Sequence, residues 1–375
     1  MARKRANVYR RNGDGRWVGV LNLEPTGGKR KRKIYYGDTQ ADVVRKLSAG
    51  TRALELGQRP NPGVETTGSF LARWLAEVAK PDVRPTSYRA YEIALRLHII
   101  PQLGKVRLVK LGPDDLDRLY ADLLAEGLSA AYVGQIHSII HSALAHASRR
   151  DLVARNVAAL TRPPRTVRTE FRTLTPEEAS RFLAATEDDR LHALYVVAIH
   201  TGMRLGELCG LRWADLGEGC LSVVQQAYRL DGAWHFTAPK TKAGRRSITL
   251  SRAASEALRL HRIRQTQERL AAKSWEDHDL VFCNPRGRPV EASNLRRRSF
   301  HPALARAGLP RIRFHDLRHT AATLLLAGGV HAKVVQEMLG HSSVAITLDV
   351  YSHVTPNLQA EAAAKMDELV PAATG

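Results

Sequence analysis

The chain has few of the features that mark secreted, metal-binding or membrane proteins. Its three cysteines, Cys209, Cys220 and Cys283, show neither metal-ligand spacing nor a disulfide framework, which fits a reducing compartment. No apolar run reaches membrane-spanning length, and the N-terminal MARKRANVYRRNG has no hydrophobic signal region. The sequence also lacks a P-loop and a carboxylate cluster suited to two-metal hydrolysis, so it implies no ATP, metal or other cofactor. We therefore expect a cytoplasmic protein without membrane contact.

Acidic charge is also scarce relative to basic charge. The 375 residues hold 57 Lys and Arg against 37 Asp and Glu, which gives a net charge of +20 and a pI near 10.3. Such an excess favours a polyanionic partner, with nucleic acid as the leading candidate and a basic protein without a specific partner as the alternative. Aromatic residues make up only 6%, which disfavours the stacking platforms that bind single strands.

Residues 1–58 are predicted to form a small basic α+β domain. VYRR, the glycine-bearing turn NGDG and RWVGVLNL are typical of a β-hairpin, the strand-like KRKIYYG follows, and 39–56 is predicted to be a helix. Such a basic sheet would suit a DNA-groove reader, and a solvated basic tail is the alternative. The apolar residues available for a core are Val8, Trp17, Val18, Val20, Ile34, Tyr35 and Tyr36. The DNA-binding candidates are Arg3, Lys4, Arg5, Arg10, Arg11, Lys31, Arg32 and Lys33.

The stretch 65–160 has helical periodicity throughout and is predicted to be a compact all-α bundle of about four helices. One of these helices is expected to stop before Pro101, because proline cannot continue the backbone ladder. His137, His141 and His146 are interpreted as surface or packing residues, since no acidic partner is spaced with them as a metal site would require.

The third unit, 170–375, is predicted to be mainly α-helical with a small antiparallel sheet. Thr175 and Glu178 form a capping box that starts a helix, and the apolar helix 191–200 should be buried. The strand-like stretches are 220–225, 233–238 and 246–250, with 239–244 as the turn between the last two, and 357–370 is predicted to be a closing amphipathic helix.

Arginines outside the first domain give further DNA-binding candidates. Arg165 and Arg168 lie in the basic linker 161–172, which can follow a phosphate backbone or serve as a solvated hinge. Arg296 and Arg297 belong to the basic helix that starts with NLRRRSF.

A short C-terminal span gathers the residues that phosphoryl transfer to tyrosine requires. His315 and Arg318 are three residues apart, so a helix places them on one face. His341 follows Gly340, a helix-ending signal, and Tyr351 comes ten residues later. Phosphate oxygens need cationic or hydrogen-bonding donors, and a phenol can act as a nucleophile. The alternative is a structural role for each histidine and a surface ion pair for the arginine.

Five motifs in this order resemble the signature set of phage-type tyrosine recombinases (integrases). They are TGMRLGEL at 201–208, PKTKAGRR at 239–246, HDLRHT at 315–320, LGH at 339–341 and LDVYSH at 348–353. The match covers the region 170–375, and the two preceding units look like the arm-binding and core-binding domains of that family. The resemblance implies a multidomain protein with an arm-type module, a helical core-binding bundle and a catalytic domain.

The resemblance also implies how the scissile phosphate would be bound. Arg204 and Arg318 are similar to the two arginines that hold the phosphate, and guanidinium forks suit its oxygens. Glu207 would buttress an active-site arginine, with a helix-surface charge as the alternative. His315 is similar to the residue that assists proton movement, and His341 to a donor that stabilises the transition state.

For bond cleavage, the resemblance implies Tyr351 as the nucleophile. Lys240 would protonate the departing 5′ oxygen, and Lys242, two residues further on, is its competitor for this role. A free phenol has a pKa of about 10, so nearby cations would have to favour the phenolate. Tyr195 lacks this setting because it lies on the predicted buried helix, and His319 is interpreted as structural.

By resemblance, the protein is a site-specific DNA recombinase that works through a covalent 3′-phosphotyrosyl link. Recombination needs four strand cleavages, which implies a homotetramer on two double-stranded DNA sites. The helix 357–370 is the candidate for docking on a neighbouring protomer, with folding back on its own domain as the alternative. The arm-like module favours integration and excision of a phage or other mobile element, with DNA-bending and directionality factors as optional partners at the nucleoid of a prokaryotic cell.

Two rival functions stay open on the sequence. A type IB topoisomerase shares the phosphotyrosyl chemistry, but the arm-like module and the candidate docking helix argue against it. A DNA-binding regulator without catalysis is the second rival, and the intact set of six candidate residues argues against it.

Overall fold

The structure, a computed structural model, describes residues 6–12, 15–22, 32–55, 65–166, 171–239, 241–351, 363–364, 366–367 and 369–370. The chain divides into two units, residues 1–168 and 169–375, with the boundary inside the predicted linker. The finer division into 1–58, 65–160 and 170–375 stays a prediction. Six candidate site residues lie outside the described residues: Arg3, Lys4, Arg5, Lys31, Arg168 and Lys240.

The chain begins with the predicted three strands and helix. Strands β1 (Ala6–Arg10), β2 (Trp17–Asn22) and β3 (Arg32–Gly37) form an antiparallel sheet in that order, and helix α1 (Gln40–Glu55) packs on it. The buried hydrophobic side chains are those of Val18, Leu21, Val43 and Leu47. Ile34 and Tyr36, predicted to be core, are instead 38% and 47% exposed. Tyr35 contacts Gly50 of α1, so its neighbours on the strand point to the opposite face.

A helical bundle follows, as predicted. Its helices are α2 (Thr67–Trp74), α3 (Lys80–Asp82), α4 (Pro85–Ala94), α5 (Ile100–Leu103), α6 (Pro113–Ala125) and α7 (Ala130–Arg149). Ser129 caps α7 by accepting from the Tyr132 N–H. His137 accepts or donates a 3.0 Å hydrogen bond with Tyr120, which supports a packing role for this histidine.

The second unit combines further helices with two small sheets. Its helices are α8 (Pro176–Ala184), α9 (His192–Thr201), α10 (Leu205–Gly210), α11 (Arg252–Ala271), α12 (Ala292–Leu295), α13 (His301–Arg306), α14 (Asp316–Ala327), α15 (Ala332–Leu339) and α16 (Val344–Tyr351), and the described residues between 363 and 369 are also helical. Its strands are β4 (Leu216–Gly217), β5 (Cys220–Val223), β6 (Gln226–Leu230), β7 (Ala233–Thr237) and β8 (Arg246–Thr249). The Thr175–Glu178 capping box is present at the start of α8, as predicted.

The strand pairing in this unit differs from the sequence prediction. β8 pairs with β5, in a sheet ordered β4-β5-β8, whereas β7 pairs with β6 in a separate two-stranded sheet. The segment 239–244 therefore links two sheets rather than the two strands of one hairpin. Sequence analysis missed β6, whose tight connection to β7 through Asp231 and Gly232 uses positive φ angles at both positions.

Prolines lie inside several helices, so the prediction that a helix stops before Pro101 is wrong. The helix that was expected to stop before Pro101 continues to Leu103, because a π-turn at Leu95–Ile99 lets the Ile100 N–H bond to the carbonyl of Leu95. The same arrangement precedes Pro81 and Pro302, with π-turns at Leu75–Ala79 and Arg296–Phe300. A five-residue turn relieves the clash between the proline ring and the carbonyl four residues earlier.

The core of the second unit is built around α9. The helix predicted over 191–200 is α9 (His192–Thr201), which is apolar on all sides and buried along almost its whole length, as predicted. Tyr195 of this helix forms an aromatic cluster with Phe182, Phe300 and Phe314, with ring centroids 5.2 to 6.4 Å apart. Among the described residues, no helix combines the length and apolar character that crossing a membrane requires.

The aromatic core predicts a large stability difference between two truncations. Phe182→Ala removes a fully buried ring that contacts Tyr195 and Phe300, so we expect a loss of about 3 to 5 kcal/mol in the free energy of unfolding. Leu270→Ala is the control, because this side chain is 83% exposed and should change stability by no more than about 0.5 kcal/mol. Urea unfolding followed by circular dichroism measures both, and equal midpoints would contradict this packing.

Candidate active site

Arg204, one of the two predicted phosphate-binding arginines, lies just after the end of α9. The helix ends at Gly202, which has a left-handed φ of 62°, and a Cβ there would lie 2.3 Å from the side chain of Leu339. Only glycine satisfies both the backbone angle and this close approach. Arg204 then takes an extended conformation and precedes α10, with its side chain partly exposed.

A buried carboxylate holds Arg204 in place. Glu207 is 2% exposed, accepts from the Arg204 backbone N–H at 2.9 Å and from its Nη1 at 2.7 Å, and also pairs with Arg246 at 3.0 Å. Burial raises the pKa of this carboxyl, but bonds and charges from Arg246 and Arg204 outweigh burial and hold the pKa below its usual range. These contacts support the buttress interpretation of Glu207 and argue against a solvated helix-surface charge.

Arg318 lies deeper than Arg204. It is 3% exposed, donates to the carbonyl of Gly202 at 2.8 Å and donates to the carbonyl of Leu339 at 2.7 Å. Burial, and next the charge of Arg204, lower the pKa of Arg318 to about 9, so the guanidinium stays charged at pH 7. The two carbonyls account for two of its five N–H donors, which leaves donor capacity for an anion.

His315 stands at the start of α14, one turn before Arg318. Its ring meets that of His319 edge-on at 5.1 Å, and His319 in turn stacks on Phe171 at 4.3 Å. His315 is exposed to solvent, yet crowding around the ring, followed by the charges of His319, Arg318 and Arg204, lowers its pKa to about 4. His315 is therefore neutral near pH 7 in the free protein, and the stacking of His319 on Phe171 supports the packing role predicted for His319.

His341 follows the left-handed Gly340 that ends α15. Its Nδ1 lies 2.9 Å from the hydroxyl of Thr347, a fully buried residue of α16. Burial, followed by the charges of Arg318 and Arg204, lowers the pKa of His341 to about 3. Because a neutral imidazole carries one N–H, the hydrogen bond at Nδ1 decides whether Nε2 has a proton to donate.

Helix α16 brings Tyr351 to the same neighbourhood. This helix packs on α14 and α15, and Tyr351 is its last residue, four positions after Thr347. Thr347, the residue whose hydroxyl lies 2.9 Å from His341, belongs to the same helix as Tyr351. Lys240 lies outside the described residues, and its competitor Lys242 begins the turn Lys242–Gly244.

The assembled site is strongly electropositive. Arg204, Arg246 and Arg318 contribute three positive charges against the one negative charge of Glu207. The nearby carboxylate of Asp316 forms an ion pair with Arg313 at 2.8 Å. Crowding around both histidine rings, and after it the charges of Arg318 and Arg204, lower their pKa values. Phosphate is an anion that matches such a group of hydrogen-bond donors. Among the described residues, no group of three or more His, Cys, Asp or Glu side chains could hold a metal ion.

A basic cleft of about 700 Å³ adjoins the site. Its lining includes His315 and the predicted DNA-binding residue Arg296, together with Arg172, Arg311 and Arg313, which sequence analysis did not single out. The remaining described candidates, Arg10, Arg11, Arg32, Arg165 and Arg297, are exposed, whereas Lys33 is partly buried beside the ring of Tyr35.

Two residues that shape the site, Arg246 and Thr347, were not predicted from the sequence. Arg246 is the last letter of the PKTKAGRR motif, but only the fold shows its side chain turned inward to Glu207. Thr347 lies six residues after His341 and four before Tyr351, and its helical spacing to the tyrosine was a usable signal.

Comparison with known proteins agrees with these motifs. Residues 172–357 match the phage integrase family, and residues 66–124 match the N-terminal SAM-like domain of phage integrases. A XerC-like tyrosine recombinase of Caldanaerobacter subterraneus is 28% identical over 98% of this chain and 99% of its own length. An integrase of Streptomyces ambofaciens is 32% identical over 92% of this chain and 91% of its own.

Solved structures share the fold. A Tn1549 transposon integrase in complex with circular intermediate DNA has a TM-score of 0.69 and 23% identity, and covers 82% of this chain and 100% of its own. A lambda integrase tetramer bound to a Holliday junction has a TM-score of 0.58 and 20% identity over 94% and 96%. The chain belongs to the phage integrase family of tyrosine recombinases, the enzymes that recombine DNA at specific sites through a covalent phosphotyrosyl intermediate.

The close packing around Gly340 generates a test of the site. A Cβ at Gly340 would lie 2.6 Å from the carbonyl oxygen of Ala243 and 3.1 Å from the Arg246 side chain, so Gly340→Ala should displace the Lys242–Gly244 turn. We expect covalent adduct formation with DNA to fall at least about tenfold. Gly329→Ala is the matched control, because Gly329 has a similar φ of 79° with nothing within 4 Å of its Cβ position. Equal loss of activity in both variants would contradict a role for this contact.

Proposed function

We propose that this protein integrates and excises a mobile DNA element, with Tyr351 as the nucleophile. The observation that carries the proposal is the convergence of the site. Buried Arg318, Arg204 on its Glu207 buttress, and His341 on its Thr347 anchor meet beside the helix that ends in Tyr351. The relatives named integrases support the assignment to a mobile element.

In this mechanism four side chains bind the scissile phosphate. Arg204 and Arg318 donate to its non-bridging oxygens, and Arg318 is held ready by the carbonyls of Gly202 and Leu339. His341 donates from Nε2 once Thr347 donates to its Nδ1. His315 starts neutral and can take up a proton when the phosphate lowers the local positive potential.

The bond changes follow from this placement. The phenolic oxygen of Tyr351 forms a bond to phosphorus as the bond from phosphorus to the 5′ oxygen breaks. The phenol loses its proton to solvent or to His315, and the leaving 5′ oxygen receives a proton from Lys240. The product is a 3′-phosphotyrosyl enzyme and a free 5′ hydroxyl. The reverse reaction with a second DNA's 5′ hydroxyl rejoins the strands without ATP, metal or other cofactor.

Double-stranded DNA would reach the site along the basic cleft. Arg296 lines this cleft directly, and Arg172 and Arg311 extend its positive surface. The helical bundle within 65–160 would bind the core of the site, and the basic sheet domain within 1–58 would bind arm-type sequences. Contacts to the backbone would position the protein, so these arginines contribute affinity more than sequence specificity.

Assembly completes the proposal. Because two duplexes exchange four strands, the active form would be a homotetramer on DNA in the cytoplasm, at the nucleoid of a prokaryotic cell. The solved lambda integrase tetramer on a Holliday junction supports this stoichiometry. The segment 357–370, whose described apolar residues Met366, Leu369 and Val370 are exposed, is the candidate for docking on a neighbouring protomer. Bending and directionality factors are optional partners.

The rival functions are disfavoured on separate grounds. A silent regulator has no need to bury Arg318, because removing a charge from water is costly and the two carbonyls that it bonds to are neutral. A type IB topoisomerase would relax one duplex and would not exchange strands between two. Strand exchange between two labelled duplexes therefore separates that rival from the integrase.

The nucleophile can be identified together with the target DNA. Incubating the full chain with nicked duplexes that carry a randomised core, with nicks at staggered positions, traps any covalent adduct because the short 5′-hydroxyl fragment diffuses away. Adducts that survive denaturation are recovered, and their sequences define the selected core duplex. We expect Tyr351→Phe to abolish the adduct, because no other phenol replaces the missing oxygen.

Tyr195→Phe is the matched control for this experiment. Tyr195 is fully buried, and its hydroxyl bonds to Ser299 at 2.5 Å, so its loss should cost about 1 kcal/mol in stability and leave adduct formation intact. The absence of any adduct from the unmutated chain would overturn the proposed function. An adduct that survives Tyr351→Phe would show that another residue is the nucleophile.

Thr347 provides a test of the His341 role. Thr347→Val keeps the side-chain volume and removes the hydroxyl that orients His341, so we expect adduct formation on the selected core duplex to fall by about 3- to 10-fold. Thr323→Val is the matched control, because Thr323 is also buried and its hydroxyl has no hydrogen-bond partner among the described residues. Equal rates in the two variants would sink this role of Thr347.

A further inference from the structure

Arg246 makes more contacts than a simple ion pair requires. It is the first residue of β8, its side chain is 6% exposed, and every guanidinium nitrogen has a bond. Nη2 pairs with Glu207 at 3.0 Å, Nη1 reaches Glu207 at 3.3 Å and the carbonyl of Gly244 at 3.1 Å, and Nε donates to the carbonyl of Met338 at 2.5 Å. One buried side chain thus joins three separate segments of the fold.

Two of these segments carry residues of the active site. Glu207 holds the Arg204 side chain and backbone, as described above. Met338 lies two residues before Gly340, whose carbonyl accepts from the Nη2 of Arg204 at 3.4 Å and which leads directly into His341. Arg246 therefore connects the support of Arg204 with the backbone that presents His341.

The third contact, from Arg246 Nη1 to the carbonyl of Gly244, ties this network to the Lys242–Gly244 turn. Gly340 approaches so closely that a Cβ on it would meet the Ala243 carbonyl oxygen and the Arg246 side chain. The positions of the turn, of the α15 end and of Arg246 therefore depend on one another. A change at Arg246 must shift at least one of them, because close-packed groups cannot adjust independently.

We propose that Arg246 is a positioning residue that holds Arg204 and His341 in mutual register for one phosphate, without itself touching DNA. The proposal rests on the proposed function, since it assumes that Arg204 and His341 act on the same phosphate. The Arg246 side chain is only 6% exposed, whereas the Arg204 side chain is 39% exposed and so remains open to a ligand.

A second consequence concerns the charge on Glu207. The cations that face this carboxylate are Arg204, Arg246 and Arg318. Arg246 contributes the largest stabilisation of the anion, so its removal should raise the pKa of Glu207 toward the value that burial favours. Protonated Glu207 would hold Arg204 less firmly. Without Arg246, the acid side of the pH–rate profile should therefore move to higher pH.

The test compares Arg246→Ala with a matched arginine truncation. Arg190 also pairs with a carboxylate, Glu268, and donates to a backbone carbonyl, that of Cys283, and neither of these partners belongs to the site. We expect Arg246→Ala to slow single-turnover adduct formation on the selected core duplex by about 10- to 100-fold, and Arg190→Ala to change it less than about twofold. The dissociation constant for the same duplex should stay within about twofold in both.

The pH profile and a double mutant separate positioning from general destabilisation. The acid limb should move to higher pH in Arg246→Ala, and this movement should vanish when Glu207→Gln is added, because no titrating carboxyl then remains. The combined rate loss should be smaller than the product of the two single losses, since Arg246 acts partly through Glu207. Arg246→Lys, which keeps the charge but loses the forked bonds, should fall between the wild type and Arg246→Ala.

Each other outcome overturns the inference. Equal rates in Arg246→Ala and Arg190→Ala would show that Arg246 does not position the site, and DNA binding that weakens in step with the rate would make it a DNA contact. If Arg246→Ala does not fold, the rate and the pH profile are measured on Arg246→Lys instead. If neither variant folds, Arg246 is required for folding and the inference is overturned. A wild-type chain that forms no adduct would instead overturn the proposed function, so the two failures are distinguishable.

Discussion

The site depends on one buried carboxylate that two arginines share. Glu207 is almost fully buried, and it stays ionised because Arg204 and Arg246 both bond to it. Removing a charged group from water is costly, and the cost is offset here by several charge-assisted hydrogen bonds. The same carboxylate fixes an outward-facing arginine and an inward-facing one. The position of the first is thereby tied to the strand and turn that carry the second.

Close backbone approach is the second constraint. Gly202 and Gly340 end two helices in the left-handed conformation, and each lies against a neighbouring segment that a methyl group would strike. Their carbonyls then accept from Arg318 and Arg204 respectively. Helix ends normally leave carbonyls without partners, and here the active-site arginines satisfy them. Each arginine is thus positioned by backbone, and it keeps further donors for an anion.

The electrostatics of the free site favour the arrival of a phosphate. The three arginines Arg204, Arg246 and Arg318 outnumber the single carboxylate of Glu207, and crowding around both histidine rings, followed by the charges of Arg318 and Arg204, lowers the histidine pKa values. In the proposed mechanism, a bound phosphate would reduce that positive potential and raise the pKa values of both histidines. Proton transfer would then depend on substrate binding.

The sequence by itself determined the helices with strong caps, the buried α9, the three-stranded basic module and the types of residue that handle phosphate, because these follow from local periodicity, capping and side-chain chemistry. It did not reveal that β7 pairs with β6 and β8 with β5, because pairing depends on contacts distant in sequence. The sequence also did not reveal that the helix continues past Pro101, because the π-turn at Leu95–Ile99 that accommodates this proline has no recognised sequence signal. The inward turn of Arg246 and the Thr347 contact to His341 exist only when β8, α10, α15 and α16 have packed together. Tertiary structure therefore decided how the catalytic residue types are oriented, since orientation comes from packing that no single segment encodes.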